Sequence, residues 1–375
     1  MRTTPIFSFL LTLLMTPLFA HQMPIPHDDH EEVTAQVPEI EEKEDVNDVI
    51  MHHISDAHDW HIFDWNNHAV SVPLPVILYT EKGLVSFMSS AFHHDDSGKE
   101  VVEKNGQRFV KYHEKIYYAS SLANADGSYI DFDDEHHALN AKPLDISITK
   151  NVASLFVTIF LMLIIFLPAA NFYKKNGSQK APKGIASFVE PLIIYIRDEV
   201  ALVNIGKKHY LRFTPYLLSL FFFVWLANML GLMPVIPGGA NLTGNIGFTM
   251  VLAIFTLLIT NFNGKKDYWM HILWMPGVPV PVRLLLAPIE IVGILTKPFA
   301  LMVRLFANMT AGHIVILSLI SLIFVLETIW VSPAAVLLTV FIFVIKVLVA
   351  FLQAYIFALL TALFIGQAVE EHAHH

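Results

Sequence analysis

A permanent positive charge stands inside a long apolar stretch of the last third of the chain. Arg304 has runs of apolar residues on both sides, of the kind that form membrane helices. An arginine guanidinium is always charged in proteins, so this group cannot escape the apolar surroundings by losing its proton. A charge at bilayer depth costs about 2.5–3.5 kcal/mol on insertion scales and marks a functional site by default. An ion pair closed within a helix bundle is the structural alternative, whereas the long flanks argue against snorkelling to an interface.

Other polar residues recur around this arginine at helical spacing. Glu290, Lys297 and Arg304 are seven residues apart, and Asn308 follows four residues later. At about 100° per residue, these four side chains lie in one narrow stripe of a helix. His313 follows Arg304 by nine residues, so it points to roughly the opposite side.

A second long apolar segment carries Lys346 and Gln353, again seven residues apart. If the two segments pair antiparallel with Gln353 opposite Arg304, then His313 and Lys346 fall at similar depth. The polar residues then form an outer set, a middle set and an inner set: His313 and Lys346; Arg304, Asn308 and Gln353; Glu290 and Lys297.

These three sets are typical of two aqueous half-channels that do not meet. Polar groups admit water and protons from each face, and a fixed cation between them prevents a proton from crossing directly. The same cation favours the ionised form of a carboxylate brought beside it. The sequence has no obvious carboxylate opposite Arg304, so we expect the proton-exchanging acid to lie on another chain.

The composition is that of a membrane protein. The chain has 375 residues, of which 54% are hydrophobic and 15% charged, and its long apolar runs begin near residue 150. The first 150 residues are acidic and rich in histidine, and the net charge of −9 comes from them. The absence of cysteine excludes disulfides, thiolate metal sites and cysteine nucleophiles. No basic, aromatic stretch indicates a nucleic-acid partner.

The N-terminal region is predicted to be exported. Residues 1–20 have the basic start, apolar core and small-residue end of a signal peptide, with an uncleaved anchor as the alternative. Residues 21–53 are predicted to be an acidic, flexible linker. Residues 54–148 are predicted to form a small β-rich extracytoplasmic domain, with a strand over 69–80, a turn over 81–83 and a return strand over 84–92.

Histidines and acidic residues are clustered in this domain, as in 93–96 and 131–137. Such clusters could bind a divalent metal. Hydrated acidic loops are the simpler interpretation, because no spacing defines a tetrahedral site. We therefore predict no metal ligands.

Residues 149–375 are predicted to form the membrane domain. Spans are expected over 152–173, 213–235, 245–261, 284–329 and 333–369. Basic residues after the first span assign 174–212 to the cytoplasm, where 185–204 predicts a helix along the membrane surface. The last two segments exceed the roughly 20 residues of an upright span, so they tilt or bend. The predicted fold class is mainly α, a polytopic membrane protein with about five membrane helices. The last two are long, tilted and antiparallel, and a small β-rich domain precedes them all.

Residues 297–313 resemble subunit a of the F-type rotary ATP synthase. The resemblance rests on Lys297-Pro and on Arg304-Leu-Phe-Ala-Asn308-Met-Thr-Ala-Gly-His313, with further matches at 228–234 and 352–357. It covers about residues 150 to 372. It implies two long helices that curve along a ring of c subunits, with Arg304 facing the ionised carboxylate of the ring. Asn308 and Gln353 are then its polar neighbours.

The same resemblance assigns the two channels and the partners. Glu290 corresponds to the acid of the cytoplasmic channel and His313 to the periplasmic channel position, with Lys297 and Lys346 on the proton path. The implied partners are the c ring, the b subunits of the peripheral stalk, the rest of the F1Fo complex, the lipid bilayer and protons. It implies no cofactor and no catalytic site in this chain. It implies a multi-pass protein of the bacterial inner membrane, with a periplasmic N-terminal domain and a cytoplasmic C-terminus.

Two features depart from the family pattern. Relatives tend to have His or Glu where this chain has Lys346, so two cationic side chains share the outer channel without an evident carboxylate. Either burial removes the charge of Lys346, or an acid elsewhere relays the proton. The N-terminal domain is also longer than usual, which with the signal peptide suggests a Gram-negative bacterium.

Two other functional classes were weighed. An ion-coupled secondary transporter would show internal repeats with paired broken helices, and the sequence shows none. A membrane-anchored receptor would have its function in the exported domain. Proton and sodium coupling are both compatible with the sequence, because the coordinating carboxylate lies on another chain.

Overall fold

The computed structural model describes residues 55–65, 68–133, 137–177, 184–233, 239–275, 279–325 and 332–370. The predicted signal peptide, the acidic linker and the terminal histidines lie outside these ranges. Within them, a region of short strands is followed by long helices.

The region of short strands forms three small antiparallel sheets. The strand orders are β1-β2, β4-β3-β8 and β5-β6-β7. Buried apolar side chains from β3 to β7, Phe109 and Leu78 among them, form a shared core. The described strands are β1 (Asp59–Trp65), β2 (His68–Pro73), β3 (Pro75–Thr80), β4 (Gly83–Met88), β5 (Val102–Lys104), β6 (Gln107–Tyr112), β7 (Lys115–Tyr118) and β8 (Leu144–Asp145).

The strand expected over 69–80 is in fact two strands that meet at Leu74. Pro73 and Pro75 flank this residue, and proline has no N–H to donate to a strand ladder. Consequently β2 pairs with β1, whereas β3 pairs with β4 and β8. The return strand β4 ends at Met88, and a 3-10 turn, Ser89–Phe92, completes the segment.

The helical region contains four helices that are long and apolar enough to cross a membrane, namely α1, α3, α6 and α7 of the described chain. A fifth crossing is possible if α4 and α5, which meet at 105°, are taken as one bent span. The fold is therefore mainly helical with four to five candidate membrane helices. The helices are α1 (Lys150–Asn176), α2 (Ile185–Tyr195), α3 (Tyr210–Leu232), α4 (Ile246–Phe262), α5 (Lys266–Leu273), α6 (Val280–Val325) and α7 (Ser332–Val369).

The helix expected over 185–204 is present, but its middle is wound differently. After Tyr195 the chain continues as a π-helical segment, Ile196–Leu202, and a last turn, Val203–Ile205. Its apolar side, including Val200, is buried against the main helical core. We treat all of 185–205 as α2.

α3 is the centre of the helical core. Leu217 and Phe221 of α3 are buried with Leu305 of α6 and with Phe357 and Ile365 of α7. The two outer partners are long: α6 has 46 residues and α7 has 38, or about 69 Å and 57 Å at 1.5 Å per residue. Both exceed the roughly 30 Å hydrocarbon thickness of a bilayer.

Asp56 joins the β-rich region to the first long helix. Its carboxylate accepts hydrogen bonds from the Thr149 hydroxyl and from the Asn151 backbone N–H, each 3.1 Å long. The N-terminus of α1, whose first N–H groups lack helical partners, is therefore capped by a residue more than 90 positions earlier.

Gly366→Ala tests the close packing of α7 on α2. A Cβ at Gly366 would overlap the carbonyl oxygen of Asn204, so one helix must move, at a cost of about 1–3 kcal/mol. We expect a lower midpoint of thermal unfolding for the purified chain in detergent. Gly293→Ala is the matched control, because the nearest atom to its Cβ would be 3.9 Å away. Equal midpoints for the two variants would contradict the close approach.

Candidate functional site

Two side-chain contacts set the register of the antiparallel helices α6 and α7. In one contact, Lys346 Nζ of α7 donates to the backbone oxygen of Asn308 of α6 at 3.3 Å. In the other contact, Lys297 Nζ of α6 donates to Gln367 Oε1 of α7 at 3.1 Å. Arg304 lies between these contacts along α6, and Gln353 (9% exposed) lies between them along α7. The two residues are therefore at comparable levels.

Arg304 lies on the outer surface of this helix pair. Its side chain is exposed, whereas Leu301 and Leu305 beside it are buried in the core. Large apolar side chains of the same two helices are also exposed, including Phe299 of α6 and Leu352 of α7. Within the described ranges, the guanidinium forms no hydrogen bond and no ion pair. The charge is thus available to a surface outside this chain.

His313 is tied to the end of α3. Its Nε2 lies 2.9 Å from the carbonyl oxygen of Gly231, and its Nδ1 lies 3.2 Å from that of Met309. Carbonyl oxygens only accept hydrogen bonds. The neutral ring therefore satisfies one of them, and the protonated ring satisfies both. This geometry suits a group that gains and loses a proton.

Lys346 crosses α6 at a glycine. A Cβ at Gly312 would overlap the Lys346 ammonium group, so the glycine lets the lysine side chain lie directly against α6. Lys346 therefore lies within about one helical turn of His313. The antiparallel alignment of the two segments in the sequence also predicts a similar depth for these two residues. The hydrogen-bond acceptor of Lys346 is the main chain of Asn308, not its amide side chain.

A buried asparagine of α3 connects this helix to α7. Asn228 of α3 is fully buried; its Nδ2 donates to Ala350 O of α7 at 3.2 Å, and its Oδ1 accepts from Thr243 Oγ1 at 2.7 Å. Both polar ends are thus satisfied. Asn228 ties α3 to α7 beside the level of Gln353.

A polar cleft opens at the opposite end of the helix pair. It lies among α4, α5, α6 and α7. Tyr268 donates to Asn261 Oδ1 at 3.0 Å, and Thr256 lies 3.2 Å from the Tyr216 hydroxyl. The residues that line the cleft are Thr256, Leu257, Thr260, Asn261, Tyr268, Ile294, Lys297, Pro298, Phe364 and Gln367.

The sequence analysis predicts Lys297 in the inner polar set, and the other polar residues of this cleft are not among its predicted site residues. Thr256, Thr260 and Asn261 recur at helical spacing on α4, which was the available signal. Gln367 follows Gln353 by fourteen residues, twice the seven-residue spacing, so the same periodicity was its available signal. Glu290 lies two helical turns from Lys297 on the same face of α6, and its carboxylate is within electrostatic range of Tyr268, which lines the cleft.

The histidine-rich clusters of the N-terminal region do not assemble a metal site in the described chain. No group of three or more His, Asp or Glu residues with suitable geometry occurs there. Residues 134–136 of the 131–137 cluster lie outside the described ranges.

Comparison with known proteins gives two matches. Residues 152–366 match the family described as ATP synthase A chain. Residues 49–146 match a domain of unknown function, DUF8433. The second match coincides with the β-rich region and the first with the helical region.

Individual relatives agree with the first match. ATP synthase subunit a of Chloroherpeton thalassium is 46% identical over 233 residues, which is 61% of this chain and 69% of the relative. ATP synthase subunit a 2 of Chlorobaculum tepidum is 43% identical over 261 residues, which is 68% of this chain and 72% of the relative.

Paired cysteines test the register of α6 and α7. The chain has no native cysteine, so Lys297→Cys with Gln367→Cys gives an unambiguous pair. We expect a short bifunctional thiol reagent to cross-link them, because the native side chains meet at 3.1 Å. Lys297→Cys with Leu352→Cys is the matched control and should stay uncross-linked, since Leu352 lies several turns away. Cross-linking of the control pair alone would refute this register.

Proposed function

This chain belongs to the family of ATP synthase A chains, and we propose that it carries protons through two offset half-channels that Arg304 keeps apart. The observation that carries this proposal is the uncompensated guanidinium. A permanent cation is exposed among apolar side chains on a helix pair, and no acid of the described chain pairs with it. In a membrane that arrangement is costly, so a partner surface with a carboxylate is required.

The proposed partner is the ring of c subunits. A protonated carboxyl group on the ring is neutral and can face lipid. Beside Arg304 its ionised form is stabilised, so its O–H bond breaks and the proton leaves through one half-channel. The carboxylate then passes the arginine and is reprotonated from the other half-channel. The fixed charge prevents a proton from crossing without the ring.

The outer half-channel is proposed to run past His313 and Lys346 toward Asn308. Support comes from the two carbonyl partners of His313 and from the position of Lys346 across Gly312. Gln353, buried at the level of Arg304, provides a polar neighbour for the exchanging carboxylate.

The inner half-channel is proposed to run through the polar cleft beside Lys297 and past Glu290. Support comes from the hydroxyl and amide groups that line the cleft. Glu290 would exchange protons with the cytoplasm. Tyr268 and Asn261, which the sequence reasoning did not select, extend the same path.

The proposed topology follows the basic residues after α1. The β-rich domain would lie in the periplasm of a bacterial inner membrane, and the C-terminus in the cytoplasm. The lengths of α6 and α7 support strong tilt. The proposed divisions are a signal peptide (1–20), a linker (21–53), the extracytoplasmic domain (54–148) and the membrane domain (149–375). The peripheral stalk and the rest of the synthase complete the partners.

Arg304→Ala should abolish ATP synthesis and ATP-driven proton pumping by the assembled complex, because nothing then separates the half-channels. The amount of complex in the membrane should change little, since the arginine is exposed and supports no packing. Arg212→Ala, the same change at the exposed start of α3, is the matched control and should retain pumping. Full ATP-driven pumping in Arg304→Ala vesicles would refute the proposed role.

Lys346→Glu should preserve or increase proton conduction. The substitution places a carboxylate next to His313, where the described hydrogen-bond partners are backbone carbonyls, and Gly312 leaves room for either side chain. The measurement is passive proton flow through membranes stripped of the catalytic sector. Complete loss of flow, with normal assembly, would mean that the lysine itself is required.

A further inference from the structure

The outer end of the proposed path is rich in cationic side chains. The hydrogen-bond partners of His313 and Lys346 in the described chain are backbone carbonyls rather than carboxylates. Lys150, at the start of α1, also lies within electrostatic range of His313. A proton that approaches His313 is therefore repelled by two lysines, and this end of the path needs an acid.

Acids of the β-rich domain lie close to Lys150. Lys150 is 8% exposed and within electrostatic range of the carboxylates of Asp56 and Glu114. Its backbone N–H donates to Ala57 O at 2.9 Å. Lys150 is thus within electrostatic range both of the acids of the domain and of the histidine of the membrane helices.

Glu114 belongs to a buried group of charges, which we call the ionic cluster: Lys111, Asp59, Asp96 and Glu114. The Lys111 ammonium lies 3.4 Å from Glu114, 3.7 Å from Asp96 and 3.8 Å from Asp59. Lys111 is 2% exposed and Glu114 is 6% exposed. Three carboxylates of the domain thus lie around the ammonium group of Lys111.

Glu114 enters this cluster with a backbone conformation that residues other than glycine seldom adopt. Glu114 and His113 form the tight turn between β6 and β7, with φ of 58° and 46°. Residues other than glycine seldom adopt this left-handed region, and such strain gathers at functional sites. Asp96 Oδ1 accepts the Glu114 N–H at 2.8 Å, and Glu114 Oε2 accepts the His58 N–H at 3.4 Å.

His58 adds a second titratable group at the same place. Its Nε2 lies 2.9 Å from Asp145 Oδ2, and its Nδ1 is buried without a partner in the described chain. Burial raises the pKa of Asp145, but hydrogen bonds from His58 and Ser147 lower the pKa more, so the net shift is downward.

Packing joins the domain to the His313 end of the helices. Trp60 and Leu74 of the domain form one apolar cluster with Ala240, in the connection from α3 to α4. The oxygen of Ala240 would be 3.4 Å from a Cβ at Gly231. The carbonyl of Gly231 is the one that binds His313. The domain therefore packs on Ala240, which lies beside Gly231, and the carbonyl of Gly231 contacts His313.

We infer that the β-rich domain supplies the acid of the outer half-channel, with Glu114 as the proton-holding residue and Asp56 beside it. The Glu114 carboxyl releases its proton by way of water to the neutral ring of His313, and periplasmic water reprotonates the carboxylate. This inference rests on the proposed function. The titratable groups around the route are Asp56, His58, Asp59, Asp96, Lys111, Glu114, Asp145, Lys150, His313 and Lys346.

Glu114→Gln tests the inference in the assembled complex. Proton flow is measured in membrane vesicles stripped of the catalytic sector, with a potassium diffusion potential and a pH-sensitive dye. We expect flow to fall several-fold, and the deficit to grow as the periplasmic-side pH rises, because proton supply then limits the rate. Glu114→Asp keeps an acid and should recover part of the flow. Assembly should persist, since Lys111 retains Asp59 and Asp96.

Two matched controls sharpen the result. Glu103→Gln makes the same change at an exposed strand position of the domain and should leave the flow unchanged. Glu327→Gln removes an acid in the connection between α6 and α7, which lies outside the described residues. If Glu327→Gln slows the flow and Glu114→Gln does not, the inference is wrong.

The outcomes separate this inference from the proposed function. Unchanged flow in Glu114→Gln, with pumping lost in Arg304→Ala, overturns only the inference. Pumping retained in Arg304→Ala overturns the proposed function. Equal loss of flow in Glu114→Gln and Glu114→Asp, with no dependence on pH, would mean a structural role and would also overturn the inference.

Discussion

The structure depends on one unsatisfied interaction, a guanidinium that the described part of the chain leaves unpaired on an exposed helix surface. An arginine at that depth is costly unless an opposite charge comes to it, and the described chain provides none. The packing of the surrounding helices keeps the guanidinium of Arg304 in this exposed position. α3 fills the space behind α6, burying Leu305 next to Arg304, and leaves the arginine on the outer face.

Close helix packing fixes where each polar group stands relative to that charge. Gly312 lets Lys346 cross α6, and Gly366 lets α7 approach the backbone of α2. Asn228 adds hydrogen bonds from α3 to α7. Because interhelical packing has few alternatives once backbones touch, the two polar regions stay separate, with His313 on one side of Arg304 and the cleft beside Lys297 on the other.

Much of this could be predicted from sequence, because apolar runs and seven-residue spacings are local properties. The long helices and the levels of Lys346 and His313 follow from them. The rest depends on tertiary contacts. The inner cleft collects Thr256, Tyr268 and Gln367 from three helices, and threonine is too common in apolar helices to signal a path. The break at Leu74 was also missed, since strand composition outweighed its flanking prolines.

The link between the β-rich domain and the membrane helices was the least accessible to sequence, yet it has the clearest electrostatic consequence. Two unit charges about 10 Å apart interact by about 1.7 kcal/mol at an effective dielectric constant of about 20. A proton arriving on His313 is repelled by Lys346 and by Lys150, which lie within electrostatic range. Carboxylates beside Lys150 offset the repulsion between Lys150 and this proton, because opposite charges of equal size cancel at a distance. A domain that carries Asp56 and Glu114 to that lysine therefore lowers the barrier to protonating the histidine, and it does so through its charge as well as through any proton it holds.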